Sequence, residues 1–278
     1  MTSGPRRWTC AGRAPTLEGV DVADLSPAQA RERFRTGERV PTAGWCQGWT
    51  QANLIAVPKR LRYELLLFAH RNPQACPVLD IGEPGAWSTE LFGGDLRTDL
   101  PGYRLYRGGE AVADLDDVVA EWREDLVPFL IGCSFTFERA LLNAGVPVRH
   151  LESGTNVPMY VTSVPCRSTG SLSGPLVVSM RPIPGELVRT AIEVSGRYPL
   201  VHGAPVHIGD PAAIGVDDLA RPDYGDPVEV RTGEVPVFWA CGVTPQAAVL
   251  ASGIDFAIGH LPGHMAIMDV RDDDYLEP

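Results

Sequence analysis

Phe238-Trp-Ala-Cys-Gly-Val-Thr-Pro-Gln246 decides how the rest of the chain is read. Val235 to Ala240 is an apolar run of strand length, and a tight turn and a helix follow it. Thr244 suits the helix N-cap and Pro245 the first helical position. Gly253 suits a left-handed stop. A strand that ends at a helix N-terminus gathers free backbone N–H groups at one spot, which favours an anion. Cys241 falls at that spot. The pattern occurs once before, in Phe129-Leu-Ile-Gly-Cys-Ser-Phe-Thr136. Cys133, Thr136 and Gly145 precede Cys241, Thr244 and Gly253 by 108 positions each. Each unit is expected to re-enter a strand reaching a histidine, His150 or His260. Two strand–Cys–turn–helix–strand units facing one cleft is the expected arrangement.

The chain has 278 residues, enough for a sizeable core. A net charge of −11 opposes a sequence-independent nucleic-acid surface, which needs basic clusters. No apolar run approaches the roughly 18 residues of a membrane helix. Met1 to Arg13 lacks the apolar centre of a signal peptide, so the cytoplasm is the expected location. The six cysteines form no Cys-x-x-Cys pair and are expected as thiols, without a metal. Nothing matches a dinucleotide or phosphate-loop fingerprint, so no organic cofactor is expected.

Residues 1–25 read as an arm, and 26–278 as one catalytic unit. Ser26-Pro27 opens a helix that Gly37 stops. Gln51 and Asn53 follow two tryptophans, Trp45 and Trp49, and can bind a polar ligand. Pro58 opens a helix to about Arg71, and Cys76 to Ile81 is a short strand. Leu115 to Leu126 reads as an amphipathic helix. Glu152 and Asn156 sit in a glycine-containing turn that can present a carboxylate and an amide to a cleft. Leu176 to Met180 is an apolar strand ending at Arg181, either an edge charge or a carboxylate clamp. Residues 186–197 read as a helix. His202, His207 and Asp210 crowd one stiff loop, a density of titratable groups suited to acid–base work.

Several motifs together resemble the D-glutamate cyclase family, in its bacterial hydro-lyase branch. They are Trp49-Thr-Gln-Ala-Asn-Leu54, Leu130-Ile-Gly-Cys-Ser-Phe-Thr-Phe-Glu138, Asn156-Val-Pro-Met-Tyr160, His202-Gly-Ala-Pro-Val-His-Ile-Gly-Asp-Pro211, Val237-Phe-Trp-Ala-Cys-Gly-Val-Thr-Pro-Gln246 and Pro262-Gly-His-Met265. The resemblance covers roughly residues 25–270. It implies an α/β fold of two interleaved parts, a three-layer α/β/α sandwich and a smaller two-layer one. It implies a lyase of amino acid metabolism that removes water from a small amino or hydroxy acid, D-glutamate to 5-oxo-D-proline in the characterised branch. A homodimer is expected. The approach Gly44-Trp-Cys-Gln-Gly-Trp49 is bulkier than the family's usual one, so the pocket wall can differ.

The residues suggest the chemistry. The helix starts after Cys133 and Cys241 supply oxyanion donors, with Ser134, Thr136 and Thr244 beside them. His207 or His202 takes the ammonium proton, with Asp210 orienting it, and Arg181 or Arg149 clamps a carboxylate. A cofactor-independent racemase with two opposed thiols is the alternative, and a small-acid binding protein without turnover is another.

Overall fold

The computed structural model describes residues 20–277. The expected arm over residues 1–25 lies mostly outside them. Helix α1 (Pro27–Arg35) opens on a capping box in which Ser26 and Gln29 satisfy each other's backbone donors. Strand β1 (Trp49–Pro58) carries no charge in ten residues and takes a central place in a sheet. Helix α2 (Arg62–Arg71) follows a short 3-10 turn. Next come β2 (Val78–Ile81), β3 (Tyr103–Arg107), β4 (Glu110–Leu115) and β5 (Leu126–Gly132). Beyond Gly132 lie α3 (Glu138–Asn143), α4 (Arg149–Ser153), β6 (Met159–Pro165), β7 (Pro175–Pro184), α5 (Val188–Gly196), β8 (His207–Ile208) and β9 (Glu234–Ala240). Helix α6 (Thr244–Ala251), β10 (Ala257–His260) and β11 (Ala266–Arg271) complete the chain.

The large sheet runs β2-β5-β1-β10-β3-β4, with β11 also paired to β1. The small sheet runs β6-β7-β9-β8, and every pairing in both is antiparallel. The chain leaves the large sheet after β5, builds the whole small sheet, and returns with β10. The two parts are interleaved, as the resemblance implies. Alternation along β1 supplies both faces of the large sheet. Ile55 and Val57 pack toward α2 and α6, while Ala52, Leu54 and Ala56 pack on the other side with Phe92 and Leu96. Helix α6 is apolar nearly all round and buried on most sides, because it lies between the large sheet and β7.

Four expectations need correction. Residues 116–125 are turns, not a helix: Val118 donates its amide to the Arg97 carbonyl, and the Asp117 carboxylate takes the Val119 amide. Such local side-chain bonds compete with helix formation. His150 lies on helix α4 rather than on a strand, since the Arg149–Glu152 pair one turn apart and the left-handed Gly154 favour a single helical turn. Thr244 is the first helical residue rather than the cap. Its hydroxyl donates to the Cys241 carbonyl at 2.7 Å and accepts from the Val177 amide at 3.1 Å, tying α6 to β7. Strand β7 runs on past Met180, which places Arg181 in mid-strand. Gly145 and Gly253 do take left-handed conformations, with φ of 79° and 62°.

Candidate functional site

The two thiol-bearing turns meet. Cys133 and Cys241 belong to one cluster with Phe135, Val157, Met159 and Met265. The first turn is closed on its thiol, with Cys133 Sγ accepting from the Phe135 amide. The amides of Ser134 and Gly242, one residue after each thiol, make no hydrogen bond among the described residues. Each turn therefore sets a thiol beside a free backbone donor. The cysteines are 6% and 8% exposed, so neither is sealed. Burial pushes the Cys133 thiol well up and the Cys241 thiol up to about 11. Both stay protonated at neutral pH, the reverse of the thiolate that a helix start was expected to favour.

Asn53 sits against the second turn. Its amide nitrogen donates to the Gly132 carbonyl at 2.7 Å, and a Cβ at Gly242 would fall 2.0 Å from that nitrogen. Gln51 donates to the Thr42 carbonyl at 2.9 Å, and its backbone amide donates to the Thr136 hydroxyl. Asn156 donates to the Pro262 carbonyl and packs on Gly263, whose φ is 85°. The adjoining His264 is buried and donates Nδ1–H to the Pro262 carbonyl.

Behind Ser134 lies a buried ionic group. Arg181, 0% exposed, gives Nε–H to Glu138 at 3.0 Å and further donors to Ser179, Ser134 and the same carboxylate. His150 Nε2 is 3.0 Å from Glu138 Oε1. Burial disfavours the Glu138 carboxylate, but the His150 and Arg181 charges outweigh it and hold its pKa below the ordinary range. Arg181 therefore pairs inside the protein, and so does Arg149, with Glu234 and Glu152. Neither Glu138 nor His150 was expected as a site residue from the sequence. The available signal was a lone acid, Glu138, and a lone base, Arg181, each in a long apolar stretch, since buried charges need partners.

The imidazole loop divides. His202 is buried at a φ of 85° and donates Nδ1–H to the Gln74 carbonyl at 2.8 Å. It lines an open cleft of about 540 Å³ with Gln74, Cys76 and Leu200. His207 lies on the edge strand β8, its ring 5.6 Å from that of Phe238 and its Nε2 bonded to the Asp210 backbone carbonyl. The Asp210 carboxylate caps Ala212 instead of the imidazole. Glu152 is half-exposed and pairs with Arg149.

Burial lowers His202 and His260 to about 4 each, and both are neutral in the folded state. Their unfolded values are near 6.5, so the unfolded chain binds more protons between these limits. Stability from these groups is full above pH 6.5 and lost as pH falls toward 4, by up to roughly 3 kcal/mol each. Urea unfolding at pH 6.5 and 4.5 should show this loss, and His202→Gln should reduce it.

The fold and site define a mixed α/β protein with a small polar centre between two sheets. The family model described as D-glutamate cyclase matches residues 127–269, from β5 through β11. A "Putative hydro-lyase" of Saccharopolyspora erythraea is 64% identical over 91% of this chain and 100% of its own length. One from Mycolicibacterium gilvum is 60% identical over 93% and 99%, and one from Geobacillus kaustophilus is 55% identical over 91% and 97%. The chain belongs to the D-glutamate cyclase family, among relatives named as hydro-lyases. A solved nitrogen repressor-like protein from Methanococcus jannaschii aligns with a TM-score of 0.41 at 10% identity over 89% of this chain and 97% of that one, too slight a likeness to bear on function. Among the described residues no helix is long and apolar enough to cross a membrane.

Proposed function

We propose that this protein removes water from a small amino acid at the paired thiol turns, with D-glutamate closing to 5-oxo-D-proline as the first candidate. In that reaction the amine nitrogen attacks the γ-carboxyl carbon, a C–N bond forms and a C–O bond breaks. The oxygen leaves as water with two protons from the ammonium group. The developing oxyanion needs donors already in place, and the departing oxygen needs an acid. Two neutral thiols, each beside a free amide, carry this reading. The amides of Ser134 and Gly242 serve as oxyanion donors, and Cys133 or Cys241 delivers a proton. Asn53 and Asn156 hold the turns and orient the acid. The raised thiol pKa values disfavour the two-thiol racemase, which needs one of the pair as a thiolate.

Incubation with D-glutamate and related amino and hydroxy acids, without added cofactor, should give a product lighter by one water in the mass spectrum. Cys133→Ala and Cys241→Ala should each slow it by about 10²–10⁴-fold with the fold intact. Exchange of the substrate α-hydrogen in deuterated water should be absent. A protein inert to all such acids, or a double alanine variant with full activity, refutes the proposal.

A further inference from the structure

A polar cavity adjoins Glu138. It is small, about 20 Å³, and its walls include Trp45, Gln51, Phe135, Glu138, Arg139 and Asp272. Three of these side chains are at least nine-tenths buried, and each carries an oxygen without a hydrogen-bond partner: Gln51 Oε1, Glu138 Oε2 and Asp272 Oδ1. Gln51 cannot turn round to offer its amide, because its nitrogen is spent on the Thr42 and Trp45 carbonyls. Glu138 cannot turn away, because its other oxygen takes two donors of Arg181. The cavity thus gathers acceptors from three separate elements and needs a donor or a cation.

Its size and chemistry narrow the occupant. A space of this volume admits one water-sized particle. A divalent ion on two carboxylates keeps several waters, and a space of about 20 Å³ has no room for them. Among the described residues no set of three His, Cys, Asp or Glu side chains gathers as a metal site. The aromatic walls Trp45 and Phe135 favour a weakly hydrated cation. Arg139 divides its charge between Asp272 at 4.0 Å and Asp273 at 3.4 Å, so it does not neutralise the cavity alone. Burial raises the Asp272 carboxyl to about 7, more than Arg139 and the Thr50 and Gly48 donors pull it down.

We propose that Gln51, Glu138 and Asp272 form a binding site for one monovalent cation of the potassium or ammonium class. The site does not depend on the reaction proposed above. Bound there, the cation fixes Glu138 and so the Arg181–Ser134 contacts behind the first thiol turn.

The test is binding. At constant ionic strength held with tetramethylammonium chloride, potassium or ammonium chloride should raise the thermal midpoint and saturate. Asp272→Asn, which keeps shape and leaves the Arg181 pair intact, should weaken the apparent affinity by about tenfold or more, the loss of one charged contact. Crystals grown in rubidium chloride should show an anomalous peak between the three oxygens. Equal midpoints in potassium and tetramethylammonium, an unchanged response in Asp272→Asn, or no rubidium peak there would each overturn the proposal.

Discussion

Arg181→Met is expected to cost about 3–5 kcal/mol of stability, the range for breaking a buried ion pair from one side. The reason is the company Arg181 keeps. It is fully buried, and its fork serves Glu138, Ser179 and Ser134 at once. Its guanidinium also lies 5.3 Å from the Trp239 ring and 5.6 Å from that of Phe137. Methionine can fill the space between those rings but leaves the Glu138 carboxylate without its strongest partner. Glu138 is then pushed toward its protonated form by burial. The double variant Glu138→Gln/Arg181→Met should lose clearly less than the sum of the single changes, because no charge is stranded. The pH dependence has a definite sign. Glu138 has its pKa lowered from 4.5, so the pair's contribution is fully present above pH 4.5 and is lost as pH falls through the lower folded value. The gap between wild type and Arg181→Met should therefore narrow in acid. Urea unfolding of the three variants at pH 7 and pH 4 measures all of this. A single-variant loss under about 1 kcal/mol would contradict the buried-pair account.

Much of this architecture is legible in local sequence. Ser26-Pro27, Gly145 and Gly253 mark ends that short-range physics dictates, and the structure uses them so. The apolar runs into Cys133 and Cys241 announce strands because they bury both faces. The 108-residue echo places two thiols at strand ends, and both fall in one buried cluster. Failures came where a long-range contact outweighed local preference. Val118 lies in a stretch patterned for a helix, yet its amide goes to the Arg97 carbonyl of a distant loop. His202 and His207 are close in sequence, but a φ of 85° at His202 turns one ring inward, while β8 pairs with β9 and carries the other to the sheet edge. Density of histidines along a chain says nothing of where the rings point. Glu138 and Arg181 lie 43 positions apart, and only the meeting of α3 with β7 makes them one group.

Gly242→Ala should be the most damaging single-methyl change at the site. The added Cβ would stand 2.0 Å from Asn53 Nδ2 and 2.3 Å from its Cγ, so one of the two must move. Asn53 is held by the Gly132 carbonyl at 2.7 Å and the Ile131 carbonyl at 3.3 Å, on the central strand pair of the large sheet. It resists, and the turn bearing Cys241 is the softer partner. Overpacking of this kind costs about 1–3 kcal/mol, and a broken buried hydrogen bond adds about 1–3 kcal/mol more. Catalysis should suffer beyond that, since a misplacement of about 1 Å can cost 10²-fold in rate. The double variant Asn53→Ala/Gly242→Ala separates the two effects. It removes the clash, so stability should recover in part. Rate should not recover, because Asn53 then no longer packs the second turn against the end of β5. If stability and rate return together, Asn53 merely fills space; if stability returns alone, the amide positions the thiol turn.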